Sequence, residues 1–320
     1  MKYWLLASRP KTLTAAAVPV MVALSLAFHD YCNDFTVHFH GYSFAVALLC
    51  VLFAMVMQVD ANFINDYFDF RRGNDDKETR LGPERACSMG WIKPEAMLRA
   101  IVITTIVSAV IGLLLLYFTL TSPVFGISSI EGLFSERIIR IALVLILIGG
   151  LCILFCFLYT THLSYKGLGD ALVIVFFGLV PVMATYFCLM GKLTFFSLLA
   201  GLSIGIVIDS LLIVNNYRDI DNDRRDGKRT LAVVLGRKST LRLFLSVGFL
   251  GSLCWLPFIV CEAKYSLILP LVLYLMIHTA TYSHMKSIGE GRQLNRILGE
   301  TSRNNFLFAI IITVFLLFIS

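Results

Sequence analysis

Residues 101–120, IVITTIVSAVIGLLLLYFTL, contain no charged side chain. A helix needs about 20 predominantly apolar residues to cross the hydrocarbon core of a bilayer. Residues 141–158 form a second stretch without a charge. The whole chain is 58% hydrophobic and 15% charged, with a mean hydropathy of +0.81, whereas a soluble domain usually carries roughly 25% charged residues. The sequence therefore predicts an all-α, polytopic membrane protein.

Nine apolar stretches have the length of a membrane span. They cover residues 12–29, 42–65, 98–121, 139–160, 170–190, 194–216, 241–261, 265–284 and 304–319. With a cytoplasmic N-terminus, 23 of the 27 Lys and Arg residues fall in inner loops, as the positive-inside rule requires. This pattern predicts nine transmembrane helices, with the N-terminus and both inner-end motifs on the cytoplasmic side of the membrane. It also explains the net charge of +6 without a nucleic-acid partner.

Amides and carboxylates form a polar stripe at the inner end of the second apolar stretch. A helix places side chains three or four residues apart on one face, and the stripe consists of Gln58, Asn62, Asn65, Asp66 and Asp69. Helix–helix hydrogen bonding is one explanation, but two carboxylates on one stripe repel each other unless a cation joins them. Asp75 and Asp76 follow in the next loop, and whether either binds a cation stays open.

A second motif at the inner end of the sixth stretch repeats this chemistry. Asn215, Asp219 and Asp223 are spaced by four residues. Carboxylate and amide oxygens suit Mg²⁺, which takes its other ligands from water and substrate phosphates. We therefore expect the two motifs to face each other and to hold Mg²⁺ on a diphosphate. Asp69 and Asp219 each follow an asparagine by four positions, which suggests two pseudo-equivalent halves around a central cavity.

Basic side chains beside the motifs are candidates for contacts with the diphosphate, although positive-inside anchoring also explains them: Arg72, Lys166, Lys228 and Arg229. Lys166 is the only basic residue in the short inner loop between the fourth and fifth stretches. Asp209 lies inside the sixth stretch. It is either a neutral, hydrogen-bonded acid or a group that lines a pocket.

The two motifs resemble the aspartate-rich motifs of the UbiA-type intramembrane prenyltransferases. The flanking segments are similar to those of the 1,4-dihydroxy-2-naphthoate polyprenyltransferases: Arg9-Pro-Lys-Thr-Leu13, Asn65-Asp-Tyr-Phe-Asp-Phe-Arg-Arg-Gly73, Gly167-Leu-Gly-Asp170 and Gly227-Lys-Arg-Thr-Leu-Ala232. Gly73 stands where the general superfamily motif has another aspartate, and this glycine is typical of the naphthoate group. The resemblance extends over the chain and implies one prenyltransferase domain, residues 1–320.

The resemblance implies Mg²⁺-dependent transfer of a polyprenyl group from polyprenyl diphosphate to 1,4-dihydroxy-2-naphthoate. CO₂ is lost, and the product is a precursor of demethylmenaquinone. The implied metal ligands are Asn65, Asp66, Asp69, Asp219 and Asp223. The implied supporting residues are Asn62 and Asn215 beside the metal, Lys166, Lys228 and Arg229 on the leaving group, and Arg9 and Lys11 on the naphthoate carboxylate. Of these, the four aspartates and Lys166 are the predicted catalytic residues.

Two other functions stay open from the sequence. Another member of the superfamily transfers the same kind of tail to a different aromatic acceptor, such as 4-hydroxybenzoate. A cation-coupled transporter also uses acidic residues within spans, but that class predicts carboxylates near the midplane of several helices. Here the acids concentrate at one membrane face, with Asp209 as the main exception.

Overall fold

The computed structural model describes residues 1–33, 41–73, 80–125, 132 and 134–318, and these residues form helices without a β-strand. The α-helices, in chain order, are α1 (Lys2–Ala7), α2 (Pro10–Asn33), α3 (Gly41–Arg72), α4 (Pro94–Leu120), α5 (Glu136–Leu158), α6 (Gly169–Ile174), α7 (Val180–Met190), α8 (Phe195–Arg218), α9 (Ile220–Arg225), α10 (Leu231–Leu253), α11 (Leu256–Cys261), α12 (Ile268–Ile288) and α13 (Leu294–Phe318). The turns Tyr159–Leu163 and Val175–Leu179 are π-helical.

Nine helical segments of the described chain are long and apolar enough to cross a membrane. The prediction of nine membrane-spanning helices is therefore confirmed. Several helices extend beyond their apolar stretches: α3 continues to Arg72, α10 begins at Leu231 and α13 begins at Leu294. Hydropathy reports only the part of a helix that is in lipid, whereas backbone hydrogen bonds continue through the polar turns outside it.

Helix α8 lies at the centre of the bundle. It packs against α2, α6, α7, α10 and α13. Its side chains Ile204, Val207 and Ile208 are at most 3% exposed. Phe308 and Ile312 of α13 are completely buried in the same apolar core. The remaining helices thus take their positions around a helix that carries one of the two acidic motifs at its end.

Facing glycines bring the turn Val175–Leu179 close to the backbone of α8. A Cβ on Gly178 would lie 2.4 Å from the Cα of Gly205, and a Cβ on Gly205 would lie 2.5 Å from the carbonyl oxygen of Ile174. Small residues permit such close approach between helices in a membrane. This contact fixes α6 and α7 against α8 and so forms one wall of the interior cavity.

We expect Gly205→Ala to destabilise the protein by roughly 1–3 kcal/mol, the usual cost of overpacking. Gly299→Ala is the matched control because Gly299 is exposed on α13 and a Cβ there meets nothing within 4 Å. Alanine is favoured over glycine inside a helix by roughly 0.5–1 kcal/mol. The thermal unfolding midpoint in detergent should fall for the first variant and not for the second. Equal midpoints would contradict this account of the packing.

Candidate active site

A cavity of about 590 Å³ lies between helices α2 to α8. Asn65 of α3, Asn215 of α8 and Tyr159 at the end of α5 line one end of it, which we call the polar end. Thr119 and Cys188, close to the ends of α4 and α7, also contribute to the lining. The side chains between these positions are mainly apolar. A cavity of this kind suits a ligand with a long apolar tail and a polar head.

The first motif reaches the polar end of the cavity on the last turns of α3. Asn65 Oδ1 accepts a hydrogen bond from Thr160 Oγ1 at 2.5 Å. One turn later, Asp69 Oδ2 lies 2.8 Å from Arg85 Nη2. The side chains of Arg85 and Asp69 are only 9% and 16% exposed, respectively. The motif therefore presents an amide to the cavity and a carboxylate that is already balanced by a cation.

Asp66, a predicted metal ligand, bonds to the backbone of the loop after α3. Its Oδ2 accepts a hydrogen bond from the backbone N–H of Ala86 at 2.9 Å, and its Oδ1 accepts one from Cys87 at 3.0 Å. The residue is 1% exposed. Both oxygens are thus used to hold the loop after α3, which carries Arg85 to Asp69. Asp66 is a positioning residue for that pair.

We expect Asp66→Asn to destabilise the protein by roughly 1–3 kcal/mol, because an amide oxygen serves one of the two buried N–H groups and leaves the other without its acceptor. The loop with Arg85 should also become more accessible to solvent. Hydrogen exchange at Ala86 and Cys87, compared with wild type, measures this directly. Unchanged protection at both amides would show that Asp66 does not hold the loop.

Asn62, predicted to support the metal, bonds to residues near the junction of α1 and α2. Its Nδ2 donates to the carbonyl oxygen of Ser8 at 2.9 Å and to Thr12 Oγ1 at 3.0 Å. Gln58 Nε2 donates to Asn62 Oδ1 at 3.4 Å. Asn62 therefore joins α3 to the junction of α1 and α2. The polar stripe is helical, as predicted, but Gln58 and Asn62 both bond to Thr12, whereas the later members have other partners.

The second motif lies at the end of α8, where Arg218 holds Asp219 through both carboxylate oxygens, with distances of 2.9 Å and 2.5 Å. Arg218 is 4% exposed and also donates to Asn295 Oδ1 at 2.7 Å. The backbone bends at Asp219, but the N–H groups of Asp219 and Asp223 still bond to the carbonyl oxygens of Asn215 and Asp219. The predicted helical spacing thus continues through the bend.

Asp223 and Lys228 form a partly buried pair, with 3.6 Å between Oδ1 and Nζ. Burial raises the pKa of Asp223 to about 6, although Lys228 lowers it, and Asp219 and Asp226 raise it further. Burial lowers the pKa of Lys228, but the charges of Asp223 and Asp69 outweigh this effect and raise it. Lys228 therefore carries a positive charge that both motifs feel.

Three arginines gather beside the first motif. Burial lowers the pKa of Arg9 to about 9, the positive charges of Arg85 and Arg80 lower it further, and Asp66 and Asp69 oppose the change. Arg9 also has a positive φ of 49°. A left-handed backbone on a residue other than glycine costs free energy and is typical of functional positions. The three guanidinium groups create a positive field that suits an anionic group.

Arg72 connects α3 to the loop after α5 rather than pointing into the cavity. It donates to the carbonyl oxygens of Thr160 and Thr161 at 3.0 Å and 2.5 Å. Its guanidinium lies 5.0 Å from the centre of the Tyr165 ring, and Lys228 Nζ lies 5.3 Å from the same centre. Tyr165, which the sequence analysis did not select, thus contacts cations from both halves of the site.

Two other predicted cations lie at the rim. Lys166 and Arg229 are exposed, and Lys166 forms no ion pair within the described part of the chain. The backbone N–H of Arg229 donates to the carbonyl oxygen of Tyr165 at 3.0 Å. The side chain of Lys11, together with Asp75 and Asp76, lies outside the described residues.

The carboxylates of the two motifs do not form a ready metal cluster. Among the residues that the structure describes, no three His, Cys, Asp or Glu side chains come together as a metal site. Instead each acid that faces the site has a basic partner: Arg85 for Asp69, Arg218 for Asp219 and Lys228 for Asp223.

Sequence reasoning missed Arg218 and Asp60. Arg218 adjoins Asp219 in the sequence, but adjacent side chains on a helix do not face each other, and the pair forms where the backbone bends at Asp219. Asp60 lies in the second apolar stretch, and its two oxygens accept hydrogen bonds from Thr104 at 2.5 Å and Thr105 at 2.8 Å. No local pattern indicates that pairing, since the threonines belong to the next helix.

Comparisons with known proteins agree with the resemblance seen in the sequence. The model of the UbiA prenyltransferase family matches residues 124–295. A 1,4-dihydroxy-2-naphthoate octaprenyltransferase from Escherichia coli (strain K12) is 32% identical, over 82% of this chain and 76% of that protein. The protein of the same name from Mycobacterium leprae is 33% identical, over 75% of this chain and 72% of that one.

The fold also matches a solved structure. A UbiA homolog from Aeropyrum pernix K1, in its apo form, superposes with a TM-score of 0.61 over 94% of each chain at 12% sequence identity. At this low identity the match establishes the helical fold alone. It agrees with the nine-helix arrangement described above.

Proposed function

Since this chain belongs to the UbiA prenyltransferase family, and is a multi-pass membrane prenyltransferase, we propose that it transfers a polyprenyl group from polyprenyl diphosphate to 1,4-dihydroxy-2-naphthoate, with loss of CO₂. The observation that carries this proposal is the cavity, because its apolar interior ends at Asn65 and Asn215, one from each motif. The names of the relatives support the acceptor.

The proposal includes Mg²⁺ at the polar end. The available donors are the oxygen atoms of Asn65, Asp69, Asn215, Asp219 and Asp223, the ligand type that Mg²⁺ prefers. Mg²⁺ needs only one or two protein carboxylates when phosphates and water supply the rest, so the paired acids fit an ion that arrives with the diphosphate. When bound, Mg²⁺ would neutralise charge on the leaving diphosphate.

The chain's own basic groups act on the same leaving group. Lys228 is placed between the motifs, and Arg85 and Arg218 are each held beside an acid. Arrival of the diphosphate with its cation gives these side chains a second anionic partner. Their positive charge favours departure of the diphosphate and leaves an allylic cation in the cavity, where the apolar walls exclude water.

The acceptor completes the proposed reaction at the polar end. Its carboxylate suits the positive field of Arg9, Arg80 and Arg85. The electron-rich ring then attacks the allylic cation at the carbon that bears the carboxylate, and CO₂ leaves. The apolar tail occupies the cavity and continues into membrane lipid. We also propose that residues 1–320 form one domain, and that the N-terminus and the site face the cytoplasm of a bacterium.

The Mg²⁺ requirement should depend on pH through Asp223. Its pKa is about 6, so a proton competes with the cation below that pH and not above it. The Mg²⁺ concentration for half-maximal rate should rise by about tenfold per unit as the pH falls below 6, and stay constant above it. Mg²⁺ titrations at several pH values with saturating substrates measure this. A requirement that is the same on both sides of pH 6 would contradict it.

Purified protein in detergent tests the proposed function. It should convert dihydroxynaphthoate and an allylic diphosphate, with Mg²⁺, to a prenylated product that has lost CO₂, and chelation of Mg²⁺ should stop the reaction. Transfer to 4-hydroxybenzoate instead would support the proposed site but contradict the proposed acceptor. Folded protein without product from either acceptor would overturn the proposal.

A further inference from the structure

Two buried carboxyl groups outside both motifs lack the partners that such groups normally have. Asp170, in the first turn of α6, is 8% exposed, and Asp209, in the middle of α8, is 3% exposed. Asp170 Oδ2 and Asp209 Oδ1 have no hydrogen-bond partner among the described residues. Asp209 also lies close enough to Asp170 to feel its charge. Most buried polar atoms are hydrogen-bonded, so this pair requires an explanation.

Asp60 is another buried aspartate in this fold, and its hydrogen bonds are those expected of a structural role. It is completely buried, and hydroxyl groups of Thr104 and Thr105 bond to its two oxygens. Asp170 and Asp209, in contrast, each have one buried oxygen without a partner among the described residues. Two neighbouring carboxylates in an apolar environment repel when both are charged, and sharing one proton removes the repulsion. The geometry thus provides a place that accepts or releases a single proton.

Tyr159 connects this pair to the cavity. It begins the π-helical turn after α5 and lines the cavity, whereas neither Asp170 nor Asp209 does. Its hydroxyl oxygen would lie 3.7 Å from a Cβ on Gly169, the neighbour of Asp170. Tyr159 is within electrostatic range of both carboxyl groups. π-Helical turns occur frequently at functional sites, and this one brings Tyr159 to the cavity lining with its hydroxyl beside the start of α6.

The start of α6 and the middle of α8 are in direct contact. A Cβ on Gly169 would lie 3.2 Å from Leu212 Cδ2, and Leu212 is one turn beyond Asp209. Leu212 and Ile208 line the cavity on either side of Asp209 in the sequence. The titratable groups that act on Tyr159 are Asp170 and Asp209 and, toward the polar end, Asp69 and Asp223.

We propose that Tyr159, Asp170 and Asp209 form a proton store for the acceptor hydroxyl. The inference rests on the proposed function. As the ring carbon bonds to the allylic cation, the adjacent C–OH becomes C=O and its proton passes through Tyr159 to the carboxyl pair. The product of that step is a β-keto carboxylate. When its C–C bond breaks and CO₂ leaves, the electron pair forms an enolate, whose oxygen takes the proton back through Tyr159. Protons and electrons balance without another reactant.

Tyr159 is the group that touches the acceptor, and the two aspartates act through it. Asp209→Asn keeps the shape of the side chain but removes the ability to take a proton. General acid–base contributions are typically 10²–10⁴-fold, so kcat should fall by at least about 100-fold. The KM for the diphosphate should change by less than about twofold, because the two motifs are untouched.

The pH profile and the stability distinguish this role from a structural one. In Asp209→Asn, kcat should rise by about tenfold per pH unit, because the acceptor must lose its proton to solution, whereas wild type should vary less over the same range. The unfolding midpoint should stay equal or rise, since a buried carboxyl without a partner is unfavourable. Asp170→Asn and Tyr159→Phe should lower kcat similarly, and the double aspartate variant should be no worse than either single one.

Asp60→Asn is the matched control, another buried aspartate in a membrane span but one with satisfied oxygens. It should lower the unfolding midpoint and keep the kcat and pH profile of wild type. Wild-type kcat in Asp209→Asn, or a lower midpoint with an unchanged pH profile, would overturn the proton store and leave the proposed function intact. If wild-type protein prenylates only 4-hydroxybenzoate, the proposed acceptor is wrong. The step that returns the proton after loss of CO₂ is then wrong as well.

Discussion

Asp223→Asn should lower kcat by about 10²–10³-fold, the usual loss when one preorganised group that stabilises transition-state charge is removed. Asparagine keeps the size of the side chain, and Asp223 is 7% exposed beside Lys228. The substitution removes an anionic oxygen from the proposed Mg²⁺ set and leaves Lys228 without its partner. The Mg²⁺ requirement should rise with the loss in rate.

Asp221→Asn provides the control on the same short helix. Asp221 is exposed and pairs with Arg237, with 2.6 Å between Oδ2 and Nη2. Exposed ion pairs contribute little to stability, and this one lies outside the site, so kcat should stay within about twofold of wild type. Mg²⁺ titrations of both variants, at saturating donor and acceptor, measure the difference. Similar rates for the two would show that Asp223 does not serve the reaction.

Ala184→Trp should make the enzyme selective for short donors. Ala184 of α7 lines the cavity. It lies far from the polar end, because α6 and the turn that follows it separate Ala184 from Gly169, the residue beside Tyr159. A tryptophan at that position fills space intended for the far part of the tail. Loss of well-fitted apolar contacts changes discrimination by about 10–200-fold. The kcat/KM for an octaprenyl donor should fall by about that factor, while that for a geranyl donor should change little.

Leu273→Trp is the corresponding control because Leu273 is 51% exposed on α12, outside the cavity lining. It introduces the same ring into the bundle surface. The ratio of kcat/KM values for the long and short donors should then match that of wild type. If Ala184→Trp keeps this ratio as well, the tail does not occupy the cavity at α7.

The acidic residues show how far sequence reasoning reaches in a site of this kind. Asp69 and Asp219 follow apolar stretches of spanning length, so their arrival at one membrane face follows from hydropathy and from the number of spans between them. Asp66 belongs to the same stripe, yet its carboxylate holds the backbone of Ala86 and Cys87. Helical spacing predicts which side chains share a face. It does not predict which residue each of those side chains will contact in the folded protein.

The sequence by itself determined the membrane class, the nine spans and the gathering of both motifs at one end, because partition between lipid and water acts on each segment locally. Tertiary structure alone decided that Arg85 balances Asp69, that Asn62 joins α1 and α2 to α3, and that Tyr159 lines the cavity whereas Asp170 and Asp209 do not. These partners lie on different helices or loops. Their meeting depends on close packing around α8, which the glycines at 178 and 205 permit, and no local pattern encodes such distances.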